Sequence, residues 1–361
     1  MERAVTQIVQ IGDVSIGGNH PVAVQSMNNT DTRDVEATLR QIHQLHEAGC
    51  EITRVSIPDR EAAEALSRIV KNSPIPVVAD IHFDPRLAIM AIENGAAKIR
   101  INPGNIKDKD ALRKIAAAAQ AAGIPIRVGV NSGSLDKVIT ERFGGVNKDS
   151  MVASARNAID LMEQTGFSNL VVSIKSSDPI LTIESYRLLS REIMYPLHVG
   201  LTEAGTVREG SIRSAVTIGT LLAEGIGDTI RVSLTGNPVL EVEAAYSILK
   251  SLSLRQRGMT LISCPTCGRT SVPLIEVAEQ VEEMIRDLPY HLKVAVMGCA
   301  VNGPGEAREA DIGIAGGNGE FLLFKRGEVV CKIKPVDVYD VLLKAIHELG
   351  RDLNNNKNRG A

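Results

Sequence analysis

Three cysteines hold the spacing in this sequence that most readily does chemistry. Cys264-Pro265-Thr266-Cys267-Gly268-Arg269 opens on a C-x2-C pair, and Cys299 follows within Gly298-Cys299-Ala300-Val301-Asn302-Gly303-Pro304-Gly305-Glu306. Thiolates carried on two loops suit either zinc or an iron–sulfur cluster. A structural zinc site closes with four protein ligands, whereas these motifs supply three cysteines and no histidine at ligand spacing. Cys331 offers a fourth thiol but lies inside the strand-like run 329–333, and Cys50 precedes another such run. Both read as buried cysteines without a ligand role. A three-cysteine cluster with an unusual or open fourth position is the better reading. Gly303 and Gly305 would let backbone amides come close to its sulfides, a lever on its potential.

Cationic side chains form the second constellation. Short β-branched runs end in Arg54-Val55-Ser56, Asp80-Ile81-His82, Arg100-Ile101-Asn102, Arg127 followed by Asn131, Ser173-Ile174-Lys175, His198 followed by Glu203, and Arg231-Val232-Ser233. A spacing of two puts both polar residues on one side of a strand. Strands of a parallel sheet are otherwise apolar throughout, so the repetition needs a cause. Four guanidiniums and the Lys175 ammonium, with Asn and Ser as neutral donors, suit a small ligand carrying two phosphates. Glu203 is the carboxylate among them, and serves either to neutralise the cluster or as an acid/base.

The elements that must position these groups follow from periodicity. Eight β-branched runs, at 21–27, 51–57, 76–81, 97–101, 125–130, 169–174, 196–201 and 228–234, alternate with helical stretches such as 35–48, 60–70, 108–122, 150–165 and 211–223. This predicts an α/β fold, a (β/α)8 TIM-type barrel, with the strand ends gathered at the mouth where barrel enzymes place their sites. A doubly wound open sheet is the alternative, but Gln25-Ser26-Met27-Asn28-Asn29 is not the glycine-rich turn that such a fold carries after its first strand. Past a helix at 238–251 and a polar linker at 254–258 the pattern changes to strand, cysteine pair, helix, strand, glycine-rich turn, strand, hairpin and helix. The expected organisation is a barrel domain over 1–256, a smaller α+β iron–sulfur domain over 257–353, and a disordered tail over 354–361.

Composition removes other classes. A net charge of −3 and 3% aromatic residues leave neither the basic excess nor the stacking groups for nucleic acid. No apolar stretch nears 20 residues, so no membrane span is expected. The first twelve residues lack the pattern of an export signal, and five cysteines are an odd set for a disulfide framework. A cytoplasmic protein is expected.

On the two cysteine motifs, with Gln25-Ser26-Met27, Asp80-Ile81-His82-Phe83, Arg100-Ile101-Asn102-Pro103-Gly104 and Gly200-Leu201-Thr202-Glu203-Ala204-Gly205 in support, the chain resembles the 4-hydroxy-3-methylbut-2-enyl diphosphate synthases of isoprenoid biosynthesis, in their compact bacterial form. The resemblance spans nearly the whole chain. It implies a [4Fe–4S] cluster on Cys264, Cys267, Cys299 and Glu306, with Glu306 the more easily displaced ligand. It implies a cyclic diphosphate substrate, 2-C-methyl-D-erythritol 2,4-cyclodiphosphate, opened with electrons from reduced flavodoxin or ferredoxin. Arg54, Arg100, Asn102, Arg127, Asn131, Lys175, Arg231 and Ser233 would hold the diphosphate, and Glu203 would protonate the departing hydroxyl. A homodimer is also implied, each cluster domain closing the barrel of the other subunit.

Two other readings compete. One is a transferase or aldolase barrel for a phosphate ligand, with a structural zinc ribbon and Lys175 as a Schiff-base lysine. The other, an interaction or nucleic-acid module on an inert barrel, is disfavoured by the charge and the few aromatics.

Overall fold

Most βα loops in the first part of the chain end on an Asp or Asn that can cap the next helix. Asp34, Asp59, Asp84, Asp108 and Asp178 each accept a backbone N–H from the first turn they precede. In the computed structural model, which describes residues 3–82, 84–106, 108–286, 288–299, 307–317 and 319–359, these caps fix where each helix leaves the strand before it. The chain forms two compact units, Met1–Arg255 and Gln256–Ala361.

The first unit opens with an antiparallel hairpin, β1 (Val9–Ile11) and β2 (Val14–Ile16). Eight parallel strands follow: β3 (Ala23–Met27), β4 (Ile52–Ser56), β5 (Val77–Asp80), β6 (Lys98–Ile101), β7 (Ile126–Asn131), β8 (Leu170–Lys175), β9 (His198–Val199) and β10 (Thr229–Ile230), in the order β8-β7-β6-β5-β4-β3-β10-β9. A parallel bridge between Val172 and Leu197 joins the two ends of that order, closing the barrel. Helices including α1 (Val35–Glu47), α7 (Pro179–Leu189), α8 (Val207–Ala223) and α9 (Pro238–Ser251) share one apolar core with the outward faces of the strands.

The hairpin was not expected from the sequence. It plugs the base of the barrel: Val9, Ile11 and Ile16 pack against Ala23, Ile52, Val78 and Val171, near the starts of their strands. The base is thus dry and apolar, while polar side chains climb the interior above it. A fully buried Lys98 ammonium reaches Gln25 Oε1 at 3.4 Å, and His198 Nδ1 lies 2.8 Å from Thr229 Oγ1.

The last two barrel strands pair over fewer residues than expected, because side chains take over their backbone bonds. Tyr186 of α7 accepts from Ile174 N–H at 3.1 Å and donates to His198 C=O at 2.6 Å. Asp228 accepts from Leu197 N–H at 2.8 Å. The seam therefore rests on buried side-chain bonds in place of a continuous ladder.

In the second unit β11 (Thr260–Ser263), β12 (Lys293–Met297), β13 (Ile312–Gly317), β14 (Glu320–Lys325) and β15 (Glu328–Ile333) form a sheet in sequence order, parallel from β11 to β13 and antiparallel thereafter. Helices α10 (Leu274–Ile285) and α11 (Val338–Arg359) bury Leu274, Val277, Val281, Leu342 and Ile346 against it. One expectation is corrected here. Cys331 is exposed, because β15 is the edge strand and Glu328 to Lys332 lie open to solvent. The backbone of α11 runs to Arg359, and its Leu349 and Leu353 pack on the core.

Replacing Tyr186 with Phe leaves one buried donor and one buried acceptor unpaired at the seam, a loss of about 1–3 kcal/mol. Thermal melts followed by circular dichroism should show the variant unfolding several degrees lower. An unchanged midpoint would mean that the seam does not depend on this hydroxyl.

Candidate active site

The C-terminal strand ends of the barrel enclose a cavity of about 230 Å³ lined by Met27, Arg54, Asp80, His82, Arg100, Arg127, Asn131, Ser173, Lys175, Leu201, Thr202, Arg231 and Ser233. Strand register explains the convergence. Met27 pairs with Arg54, Asp80 with Arg100, Arg100 with Arg127, and Asn131 with Lys175, so inward side chains of neighbouring strands meet at one level. Two glycines make room for them. A Cβ on Gly129 would lie 2.6 Å from Arg100 Nε, and one on Gly200 would lie 2.9 Å from Lys175 Nζ and 2.2 Å from Arg231 C=O. A larger groove of about 510 Å³ between α8 and α9 has Glu243 as the one charged residue in its lining, and offers no comparable set of groups.

Two carboxylates, Asp80 and Glu241, organise the cations. Asp80 lies 3.2 Å from Arg100 Nη1, 3.6 Å from Arg54 Nε and 3.7 Å from His82 Nε2. Burial alone would raise its pKa, but the guanidiniums of Arg54, Arg100 and Arg127 outweigh that and hold it at about 2. Glu241, on α9, pairs with Arg231 at 3.1 Å. Arg54 also donates to the Met27 thioether from Nη2 at 2.9 Å, and burial pushes its pKa down to about 10 despite Asp80.

Positive charge remains in excess. Arg127 is 2% exposed, and its Nε and Nη1 have no hydrogen-bond partner among the described residues; Arg100 Nε is in the same state. Burial first, then Arg127, Arg231, Arg54 and Arg100, push the Lys175 pKa far below the ordinary lysine value. An anion placed in the cavity would supply acceptors to these donors and relieve the repulsion.

Of the residues singled out for substrate, Arg54, Arg100, Arg127, Asn131, Lys175, Arg231 and Ser233 line this cavity. Asn102 does not: its side chain accepts from Gly104 N–H at 3.2 Å, capping the turn after β6. Glu203 is exposed beside Thr202 and holds a left-handed backbone at φ 53°, unusual for a residue with a side chain. Asp80, His82 and Ser173 also line the cavity and share the strand-end alternation, whereas Glu241 carries no such signal in the sequence, because it sits on a helix.

In the second unit the parallel strands β11 and β12 end side by side, which carries Cys264 and Cys299 to the same edge of the sheet. Gly298 N–H donates to Cys264 Sγ at 3.2 Å. A Cβ on Gly298 would come within 3.1 Å of Thr270, whose hydroxyl accepts from Cys267 N–H. The Cys267 thiol pKa is lowered, chiefly by the Arg269 backbone N–H. Cys50, by contrast, is buried and its pKa is pushed up to about 12 by burial. Among the described residues no three Cys, His, Asp or Glu side chains gather closely enough to hold a metal ion, and Glu306 lies outside the described residues.

The charge excess has measurable consequences. Inorganic pyrophosphate should raise the melting temperature of the protein. Arg127→Met should raise that of the ligand-free protein, by as much as about 1–4 kcal/mol in stability, and shrink the pyrophosphate effect. A ligand-free variant melting below wild type would show that the guanidinium is well paired. Because the folded Lys175 pKa is depressed, the unfolded chain holds more protons, so ligand-free stability should rise with pH between the depressed value and about 10.4. Pyrophosphate reverses the depression, so its binding in that window should take up protons; buffer-independent heats in calorimetry would contradict this.

Residues 6–246 match the GcpE TIM-barrel domain, and residues 260–348 the GcpE protein C-terminal domain. Over 349 residues the chain is 55% identical to the 4-hydroxy-3-methylbut-2-en-1-yl diphosphate synthase (flavodoxin) of Ruminiclostridium cellulolyticum, covering 97% of this chain and 99% of that one. The enzyme of the same name from Clostridium acetobutylicum is 53% identical over 97% of this chain and 100% of its own. That of Geobacter sulfurreducens is 52% identical over 96% and 98%. Matched across both units, and similar to these enzymes over nearly their whole length, the chain belongs to the GcpE family of 4-hydroxy-3-methylbut-2-en-1-yl diphosphate synthases.

Proposed function

We propose that this protein is an iron–sulfur oxidoreductase that reductively opens and dehydrates 2-C-methyl-D-erythritol 2,4-cyclodiphosphate to 4-hydroxy-3-methylbut-2-enyl diphosphate, in the methylerythritol phosphate pathway. The observation that supports it, beyond family membership, is the cationic cavity with its unpartnered arginine donors. Two electrons enter the substrate, the ring C–O bond to the diphosphate breaks, and the hydroxyl leaves as water with a proton. The opened diphosphate carries one more negative charge than the ring. Arg54, Arg100, Arg127, Lys175 and Arg231 would meet that charge as it develops, without reorganising at the moment of reaction. Asn131 and Ser233 would orient the phosphates. Glu203, at the rim beside Thr202, would deliver the proton to the leaving hydroxyl, and its left-handed backbone is the kind of strain that accumulates at functional positions.

We assign a [4Fe–4S] cluster to Cys264, Cys267, Cys299 and Glu306. The sulfur chemistry fits: Cys264 Sγ already accepts a backbone N–H, as cluster thiolates do, and Cys267 sits among donors that favour its thiolate. When bound, the cluster would supply electrons from reduced flavodoxin, the donor in the relatives' names. We also assign the protein a cytoplasmic location. No described helix is long and apolar enough to cross a membrane. A homodimer belongs to the same reading. The transferase or aldolase alternative falls away, since both units match one synthase family.

Anaerobically purified protein should be brown, and should turn over the cyclic diphosphate with a reduced donor. Cys264→Ser, Cys267→Ser and Cys299→Ser should each lose most iron and all activity, while Cys50→Ala and Cys331→Ala keep the iron. Glu306→Ala should hold a cluster prone to losing iron and turn over poorly. Zinc without sulfide in the wild type would sink the reading, and full iron in the Cys299 variant would reassign the ligands.

A further inference from the structure

Gln25-Ser26-Met27, at the end of β3, is a motif without a role in the reaction as described, yet two of its side chains contact a cation and the third holds a carboxylate that does. Gln25 Oε1 faces Lys98, Met27 Sδ accepts from Arg54, and Ser26 Oγ donates to Glu241 Oε2 at 2.9 Å. Glu241 is 3% exposed and lies outside the cavity lining. Its carboxylate receives Arg231 Nη2 at 3.1 Å and Nε at 3.4 Å, and Leu234 N–H at 3.0 Å. It thus ties β3, the segment after β10 and α9 together behind one guanidinium. This forked grip uses two of the three Arg231 nitrogens and leaves Nη1 for the cavity that Arg231 lines.

We propose that Glu241, held by Ser26, is a positioning residue that aims Arg231 at the substrate diphosphate. The inference rests on the proposed substrate site and adds the device that orients one of its arginines. A carboxylate that merely neutralised Arg231 would weaken anion binding, so removing its charge would tighten it. A carboxylate that positions Arg231 does the reverse: without it the guanidinium loses its fixed direction, and binding weakens although the mouth has become more positive. The two roles differ in sign.

The test compares wild type, Arg231→Met, Glu241→Gln, Ser26→Ala and the Ser26→Ala/Glu241→Gln double variant. Pyrophosphate binding is followed by calorimetry, and turnover of the cyclic diphosphate is measured with the cluster-loaded enzyme. Glu241→Gln should weaken pyrophosphate binding about tenfold and raise KM similarly, with kcat changed less, as expected for a lost charge-assisted contact. Ser26→Ala should weaken binding about two- to fourfold, and the double variant should bind no worse than Glu241→Gln alone, because both act through one guanidinium. Unchanged or tighter binding in Glu241→Gln, with Arg231→Met impaired, overturns the positioning role and leaves the substrate site standing. Unchanged binding in Arg231→Met overturns the site and the positioning role together. Should Glu241→Gln fail to fold, Ser26→Ala decides, and wild-type binding there overturns the proposal.

Discussion

Surplus positive charge at the barrel mouth is the constraint to which the rest of the first unit answers. Arg54, Arg100, Arg127, Lys175 and Arg231 share one small cavity with Asp80, and Glu241 stands behind them. Taking such groups out of water is costly, and mutual repulsion in a place of low polarisability adds to the cost. Two carboxylates offset part of it. Asp80 sits between Arg54 and Arg100 and stays ionised because of them, while Glu241 holds Arg231 from the helical layer. The Arg127 Nε and Nη1 donors are left without partners among the described residues, and an anion in the cavity would complete them.

A cluster of this kind needs a frame that does not yield. The hairpin of β1 and β2 seals the base with apolar contacts, at the end of the barrel opposite the cationic cavity. Between them the interior is polar but buried, with Lys98, Gln25 and His198 packed beneath the mouth. The seam at β8 and β9 gives up ladder bonds and recovers them from Tyr186, and Asp228 does the same between β9 and β10, so the barrel closes where strand pairing is shortest. Gly129 and Gly200 have no side chain because the space belongs to Arg100 at the first, and to the Arg231 carbonyl and the Lys175 ammonium at the second.

The second unit works on a different principle. Parallel neighbours β11 and β12 bring two cysteine loops to one sheet edge, and Gly298 allows the loop around Thr270 to lie against it. Backbone N–H groups then point at sulfur, as in the contact of Gly298 with Cys264. The helices on one face supply the main core, and Cys264 packs against it.

Strand and helix alternation, the place of the cysteine motifs and the cations at strand ends were legible in the residue order, because each is written in local periodicity and spacing. Arg54, Arg100, Arg127, Lys175 and Arg231 could be named from position alone, since barrel closure forces such ends together. The remaining features depend on how distant segments pack. Whether Asn102 faces the ligand or caps its own turn depends on a backbone bond two residues away. Cys331 is exposed because its strand is an edge, which no local pattern reveals. Glu241 meets Ser26 and Arg231 only when α9 is laid over the junction of the first and last strands. Local propensity acts over a few residues, whereas these partnerships join positions as many as 215 residues apart, and only the closed barrel brings them within hydrogen-bond reach.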